Sequence, residues 1–265
     1  MRVEMTTRPG SGEVPNEDLV SAVLPGDGRG GAVVVLDGVT PPDGPDGCHH
    51  GVPWFTARLG GGLLELSASR RDMTLTQCLA AAVLRTSSEH RSTCDLSHRR
   101  TPQATVIAVR WDEDVVEHLV LSDSVLLLGS ADGTVVPVLD DRLDRVRALA
   151  RTAPPGRRAA RIESLRNVAG GFFTAAADPA VAERAVTGTT PRARLRSLAA
   201  LTDGAARWTE TFALGDWTAL STALREHGPE AVVSQVREAE AADPDGVTHP
   251  RGKARDDATA ALVVF

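Results

Sequence analysis

Two aspartates of this sequence stand at the end of an apolar run, and each is followed by glycine. Asp37-Gly38 follows AVVVL, and Asp203-Gly204 follows LRSLAALT. A buried strand holds its last side chain in place, so carboxylates at the ends of neighbouring strands can converge. Convergent carboxylates repel one another unless a divalent cation lies between them, and oxygen ligands favour Mg²⁺ or Mn²⁺ over zinc. The two pairs therefore predict a metal site.

Further acidic residues have related settings. Glu17-Asp18 directly precedes the run LVSAVL, and Asp256-Asp257 directly precedes ATAALVVF. Asp123 lies in LVLSDSVLLL, a tight link between two apolar runs. The remaining Asp-Gly pairs are typical of ordinary turns; they are Asp27-Gly28, Asp43-Gly44, Asp46-Gly47, Asp132-Gly133 and Asp245-Gly246.

The spacing of apolar residues predicts the elements that position these carboxylates. Short aliphatic or β-branched runs predict strands, at 19–24, 32–36, 104–111, 115–121, 125–129, 134–138, 195–201 and 258–265. Helical periodicity predicts helices at 53–66, 75–91, 142–150, 217–226 and 230–241. The short links between the four strands from 104 to 138 favour an antiparallel meander. Paired strands and paired helices together favour an α+β layered sandwich.

Composition restricts the class of protein. The 265 residues, 42% of them hydrophobic, show no repeat and no long linker, so we expect one domain over 1–265. The net charge is −6 and no basic stripe is interleaved with aromatic residues, which argues against a nucleic-acid partner. Because neither a signal sequence nor a long apolar run is present, we expect a cytoplasmic protein with no membrane attachment. We also expect a monomer.

Cysteine and histidine spacing offers little support for a zinc site. Cys48, Cys78 and Cys94 are odd in number and lack the paired spacing of a zinc site or a disulfide framework, which favours a reducing cytosol. His90, Cys94 and His98 recur at four-residue intervals, as on one helix face. Three ligands over two helical turns spread too far along the axis for one ion. A polar helix end is the simpler interpretation.

In order and context, the acidic sites resemble those of the metal-dependent type 2C protein serine/threonine phosphatases, as a divergent bacterial-type member. Six short motifs in the right order are more specific than any one of them, and they span almost the whole chain. The motifs are Asn16-Glu17-Asp18, Val35-Leu36-Asp37-Gly38, Thr101–Val109, Val120–Leu127, Leu201-Thr202-Asp203-Gly204 and Arg255-Asp256-Asp257-Ala258-Thr259.

The resemblance implies a four-layer αββα sandwich of two mostly antiparallel sheets flanked by helix pairs. It implies that Asp37 bridges two Mn²⁺ or Mg²⁺ ions, with the Gly38 carbonyl on one of them. Asp203 and Asp256 would hold the other ion, and these three aspartates would carry the chemistry. The remaining implied metal positions are Glu17, Asp18 and Asp123, the last of which matches a weaker third metal. A water between the ions would attack phosphorus in line, releasing phosphate from phosphoserine or phosphothreonine in a protein.

The sequence departs from the family pattern at two substrate positions. Glu13 stands where the family usually carries an arginine that binds the substrate phosphate. Arg8 is then the candidate for phosphate binding. The usual His-Gly-Gly after Asp37-Gly38 is replaced by a longer loop, from which His49 or His50 is the candidate proton donor.

These departures leave two alternative hypotheses open. One is a catalytically weak or inactive phosphatase-like module that keeps the metals for structure and binds a phosphoprotein without turnover. The other is a hydrolase of a small phosphate ester, because the sequence shows no feature specific to protein docking.

Overall fold

The computed structural model describes residues 1–26, 28–42 and 44–265, so Asp27 and Asp43, both assigned to turns from the sequence, lie outside the described residues. The strands are β1 (Arg2–Arg8), β2 (Leu19–Val23), β3 (Gly31–Gly38), β4 (Ala104–Trp111), β5 (Val115–Leu121), β6 (Val125–Ser130), β7 (Val135–Val138), β8 (Val186–Pro191), β9 (Leu195–Leu201) and β10 (Ala258–Val264). In the described part of the chain they form two antiparallel sheets, ordered β2-β3-β4-β5-β8 and β1-β10-β9-β6-β7.

The helices pack against these sheets or, in two cases, against each other. They are α1 (Val52–Ser69), α2 (Leu75–His90), α3 (Arg142–Ala150), α4 (Arg158–Ser164), α5 (Asp203–Glu210) and α6 (Trp217–Ala242), with 3₁₀ turns at Pro155–Arg157, Pro179–Arg184 and Arg192–Arg194. Helices α1 and α2 share a core with the β3-containing sheet, and α5 and α6 share one with the other sheet. None of the helices in the described ranges combines the length and apolar character needed to span a membrane.

The alternation of side chains along β3 explains why its sequence is almost continuously apolar. Leu36 packs toward α1 and α2, whereas Val35 packs between the sheets against residues such as Leu126 and Val263. A strand with both faces buried needs apolar residues at successive positions. The predicted four-layer αββα sandwich is confirmed by these three cores.

The predicted meander is wrong, although the strands in it are placed correctly. Strand β5 pairs with β4 and β8, whereas β6 pairs with β7 and β9 in the other sheet. The link between β5 and β6 contains Ser122 with φ 71°, a backbone conformation that turns the chain sharply. The chain therefore crosses between the sheets here, which places Asp123 between them.

Several elements were not predicted. No strand was predicted at 187–192, most of which belongs to edge strand β8. There Gly188 lies so close to the His118 ring that a Cβ would stand 2.7 Å from it. Strand β1 was missed because its alternation of charged and apolar residues is weak, yet it pairs along its length with β10. The two helices predicted at 217–226 and 230–241 are both present within α6, and the interruption predicted between them is confirmed by the non-helical backbone of Gly228 (φ 82°).

Candidate active site

A cleft of about 290 Å³ is lined by carboxylates from both sheets. Asp37 is the second-to-last residue of β3. Asp203 is the first residue of α5, directly after β9 and Thr202. Asp123 comes from the link between β5 and β6, and Asp256 lies two residues before β10. Four acidic side chains that are distant in sequence therefore face one space.

Two glycines allow the backbone segments around these carboxylates to approach closely. A Cβ on Gly38 would stand 2.6 Å from the Glu17 carbonyl oxygen. A Cβ on Gly204 would stand 1.9 Å from the Asp257 carbonyl oxygen. Any larger residue would push these segments apart, so the glycine after each aspartate has a packing role.

Mutual repulsion and burial alter the protonation of the carboxylates. Burial is the main cause that raises the pKa of Asp37 well above its ordinary value, and the charges of Asp203, Asp18, Asp123 and Asp256 add to it. Burial, followed by Asp123 and Asp256, raises the pKa of Asp203 to about 6. Burial likewise raises the pKa of Asp18 to about 8. The cleft thus concentrates negative charge that a divalent cation would relieve.

The donor set of the cleft fits Mn²⁺ or Mg²⁺. Its acidic groups offer only oxygen, the donor that these hard cations prefer. One oxygen of Asp18, Oδ1, is buried and has no hydrogen-bond partner, although its Oδ2 accepts a 2.9 Å bond from the Thr202 hydroxyl. Among the described residues, no hydrogen bond or ion pair reaches the Asp37 carboxylate. These are the properties expected of ligands that lack their cation.

The segment carrying Glu17 and Asp18 is held in place from the opposite end of the chain. The Asp257 carboxylate accepts hydrogen bonds from the backbone N–H groups of Gly10 (2.8 Å) and Glu17 (2.7 Å). The Glu17 carboxylate in turn accepts a bond from the Thr40 hydroxyl (2.5 Å). Asp257 therefore positions the first acidic motif rather than facing the cleft.

Four cationic residues also line the cleft, and sequence reasoning missed them. Lys253 Nζ lies 2.6 Å from Asp256 Oδ1, and Arg207 lies 3.0 Å from Asp256 Oδ2. Arg147 lies 3.0 Å from Asp123 Oδ2. The fourth is Arg166, which is paired with Glu163 and stacked over Phe172. Arg207 stands four residues after Asp203, and Lys253 stands three residues before Asp256, so each had a local spacing signal. Arg147 and Arg166 had none.

The structure does not bring Arg8 and His49 into the cleft. The Arg8 guanidinium pairs with Glu230 on α6, because β1 runs along β10 and directs this side chain toward that helix. His49 is exposed, and its backbone N–H approaches the Cys94 sulfur at 3.5 Å. No histidine within 1–26, 28–42 and 44–265 lines the cleft. Phosphate binding and proton donation must be sought among other residues.

Comparison with known proteins identifies the fold. No protein-family model matches the sequence, and no curated protein matches it significantly. Among solved structures, the serine/threonine phosphatase Stp1 from Staphylococcus aureus is similar with a TM-score of 0.64 and 11% identity, over 99% of this chain and 94% of that one. PppA, a key regulatory component of T6SS in Pseudomonas aeruginosa, is similar with a TM-score of 0.59 and 19% identity, over 100% and 97%.

A third similar structure was solved with metal ions. The catalytic domain of the serine/threonine protein phosphatase PstP, in complex with two manganese ions, gives a TM-score of 0.60 and 14% identity, over 98% of this chain and 96% of that one. At such identities the likeness concerns the fold. The resemblance to type 2C phosphatases is thereby confirmed at that level: this chain has the fold of the bacterial serine/threonine phosphatases.

Proposed function

We propose that residues 1–265 form a single, divergent type 2C phosphatase domain that hydrolyses phosphoserine or phosphothreonine in proteins with two Mn²⁺ or Mg²⁺ ions. The observation that carries the proposal is the convergence of Asp37, Asp123, Asp203 and Asp256 in one cleft, where neither Asp37 nor Asp203 forms an ion pair with a described residue. Four carboxylates in one cleft require compensation by positive charge. The bridging position assigned to Asp37 by the family resemblance is the one that most lacks it.

The metal ligands in this proposal are the carboxylates that converge. Asp37, with the Gly38 carbonyl, Asp203 and Asp256 would hold the two ions, and Asp123 a weaker third. Glu17 and Asp18, which do not line the cleft, would act directly or through water. When bound, such ions lower the pKa of a coordinated water and neutralise phosphoryl oxygens.

The cleft offers replacements for the phosphate-binding arginine that Glu13 displaces. Arg147 is half-exposed and lies between Asp123 and Asp144, at 3.0 and 3.3 Å. Its guanidinium has more donors than these two contacts use, so it can also donate to a phosphate. The Arg166 guanidinium lies over the Phe172 ring, 4.8 Å from its centroid, and pairs with Glu163 (3.0 Å), which orients a second guanidinium at the cleft wall. We assign phosphate binding to these two residues.

Lys253 is our candidate for protonating the leaving oxygen. Its ammonium lines the cleft and donates to Asp256 (2.6 Å) and to the Thr40 hydroxyl (3.0 Å). The side chain is half-exposed, so it can turn toward a substrate and hold a proton there. This assignment agrees with the lack of a cleft histidine in the described part of the chain.

The same cations favour a second candidate function, a phosphoprotein-binding module without turnover. Lys253 and Arg207 neutralise Asp256 from two sides, and Arg147 neutralises Asp123. Carboxylates compensated in this way bind metal more weakly, since the ion must displace or offset an ion pair. A cleft with its own cations could then hold a phosphoryl group without hydrolysing it.

Phosphate release from a phosphoserine or phosphothreonine peptide, measured with and without Mn²⁺, tests the leading proposal. We expect Mn²⁺-dependent turnover that falls by about 100-fold or more in Asp37→Asn and Asp203→Asn, because each change removes a ligand charge. Asp245→Asn, at an exposed position outside the cleft, is the matched control and should retain activity.

Three other results would change the assignment. Turnover unaffected by Asp37→Asn would contradict the proposal. Phosphopeptide binding without turnover at any Mn²⁺ concentration would favour the binding module. A small phosphate ester hydrolysed far faster than every phosphopeptide would favour a metabolite phosphatase.

A further inference from the structure

A second group of metal-binding side chains lies between the loop that follows β3 and the end of α2. It consists of Cys48, His50, His90 and Cys94, and one ligand atom from each lies within 4.8 Å of all the others. None of the four lines the carboxylate cleft. We call this group the Cys₂His₂ cluster.

Four of the six ligand–ligand distances within the cluster match those around a tetrahedral zinc ion, and the other two are bounded by 4.8 Å. The two sulfurs are 3.4 Å apart, and His50 Nδ1 lies 3.7 Å from Cys48 Sγ and 3.4 Å from Cys94 Sγ. His90 Nδ1 lies 3.6 Å from Cys48 Sγ. With Zn–S bonds of about 2.3 Å and Zn–N bonds of about 2.0–2.1 Å, tetrahedral ligand atoms are roughly 3.3–3.8 Å apart. The four separations fall in this range.

Backbone hydrogen bonds hold both halves of the cluster in place. His90 ends α2, and its carbonyl accepts a bond from the Cys94 N–H (2.9 Å), so one turn of chain brings these two residues together. The N–H of Asp95, the next residue, donates to the Gly47 carbonyl (2.8 Å) and joins the end of α2 to the loop carrying Cys48. The convergence thus does not depend on thiol–imidazole contacts, which are weak hydrogen bonds.

The surroundings also suit a metal-bound form. The backbone N–H groups of His49 and His50 approach the sulfurs of Cys94 and Cys48, at 3.5 and 3.4 Å, so a hydrogen-bond donor lies against each sulfur. Trp54 of α1 stacks on the His50 ring (4.2 Å between centroids) and packs against His90 (5.0 Å). The tryptophan restricts both imidazoles to orientations in which Nδ1 faces the sulfurs.

We propose that Cys48, His50, His90 and Cys94 bind one Zn²⁺ as a closed structural site. Two sulfur and two imidazole ligands in a tetrahedral arrangement select zinc, whereas the oxygen ligands of the cleft select Mn²⁺ or Mg²⁺. Four protein ligands leave no open coordination position for catalysis. The proposal stands whether or not the chain is a phosphatase, since it shares no ligand with the cleft.

The bound zinc would support one wall of the cleft. The loop that reaches Cys48 begins at Gly38, Val39 and Thr40, which line the cleft. Zinc would fix the far end of this loop to α2 and so limit the movement of the near end. Because the unfolded chain lacks a preformed site, zinc binding would also add to the stability of the fold.

A disulfide between Cys48 and Cys94 is the competing explanation for the closeness of the sulfurs. Their 3.4 Å separation exceeds the roughly 2.05 Å of a disulfide bond. A disulfide would also leave the approach of two histidines unexplained. Zinc accounts for all four residues together.

Elemental analysis of the full chain, purified under reducing conditions without added chelator, tests the proposal. We expect about one zinc per chain in the wild type and in Asp37→Asn/Asp203→Asn, and less than roughly 0.2 in Cys48→Ser/Cys94→Ser. Cys78→Ala and His49→Ala are the matched controls, a cysteine and a histidine outside the ligand set, and both should retain zinc.

Cobalt substitution keeps the test valid if the double cysteine variant does not fold. The wild-type chain, stripped of metal and titrated with Co²⁺, should show thiolate-to-cobalt charge transfer and the intense visible bands of a tetrahedral ion, and Zn²⁺ should abolish both. Absence of zinc together with absence of this spectrum would overturn the proposal. So would zinc retained in the folded Cys48→Ser/Cys94→Ser variant, or a Cys48–Cys94 disulfide that forms in the presence of reductant and excludes metal.

Discussion

At the candidate active site, the neighbours of each carboxylate decide how strongly it can bind a cation. Asp256 lies between Lys253 and Arg207, whereas Asp37 is surrounded by other carboxylates. Asp123 is in contact with Arg147. Among the described residues, an ion entering the cleft therefore meets two carboxylates without an ion pair, Asp37 and Asp203, and two that must exchange an internal partner, Asp123 and Asp256. Metal affinity below that of an uncompensated cluster is the consequence we expect.

Replacing Arg147 tests phosphate binding at the residue scale. Arg147→Ala should raise the KM for a phosphopeptide by about 10-fold, equivalent to about 1.4 kcal/mol, because a guanidinium–phosphate contact is lost. Steady-state kinetics at saturating Mn²⁺ provide the measurement. The control is Arg145→Ala on the same helix, whose guanidinium pairs with Asp141 (2.5 Å) outside the cleft. A normal KM in Arg147→Ala would remove this residue from the substrate site.

At the scale of elements, the site depends on contacts between segments from the two ends of the chain. Strand β1 pairs with β10, and the Asp257 carboxylate, just before β10, binds the backbone of Gly10 and Glu17. The first acidic motif is thus positioned by a residue about 240 positions away, as the sequence separation of the Glu17–Asp257 bond shows. A pattern of residues close in sequence cannot predict such a contact, although Asp257 itself belongs to the terminal motif that the sequence shows.

Removing the Asp257 carboxylate tests this coupling. Asp257→Ala leaves two backbone donors without their acceptors, so the free energy of unfolding should fall by about 1–3 kcal/mol, and Mn²⁺ binding should weaken as the Glu17 segment shifts. Asp257→Asn keeps one acceptor oxygen and should show a smaller loss of both. Urea unfolding and Mn²⁺ titration measure the two effects. Equal stability of the alanine variant and the wild type would contradict the positioning role.

At the scale of the whole molecule, concentrated negative charge in the cleft makes stability depend on pH and metal. The pKa values of Asp18 (about 8) and Asp203 (about 6) lie above the ordinary value of 3.8, and that of Asp37 is also raised. The folded state then binds protons more tightly than the unfolded state. Without Mn²⁺ or Mg²⁺, the contribution of these carboxylates to stability is therefore greatest at a pH below their raised pKa values and is lost as pH rises through those values.

Thermal unfolding of the protein without Mn²⁺ or Mg²⁺ tests whether stability falls as pH rises. We expect the melting temperature to fall between about pH 5 and pH 8, and Mn²⁺ to reverse most of the loss at pH 8. Asp37→Asn should melt higher than the wild type at pH 8 without Mn²⁺, because it removes a repelled charge, and should gain less from Mn²⁺. A melting temperature that rises with pH in the metal-free wild type would contradict the repulsion on which the site rests.

The sequence by itself determined the layers of the fold and the acidic positions. Strands β4, β5 and β9 were predicted with the bounds that the structure has, because buried strands require continuous apolar runs. Asp37 and Asp203 were recognised for the same reason, since each follows such a run. Patterns of this kind involve only residues that are close in sequence, so they can be recognised without the three-dimensional structure.

Only the tertiary structure decided which distant groups meet. It separated β5 from β6 into different sheets, placed Arg147 and Lys253 in the cleft, and kept Arg8 and His49 out of it. The Cys₂His₂ cluster illustrates the reason, because Cys48 and His90 lie 42 positions apart and no period in the sequence relates them. Their meeting follows from the packing of a loop against the end of a helix, and that packing is determined by the fold as a whole.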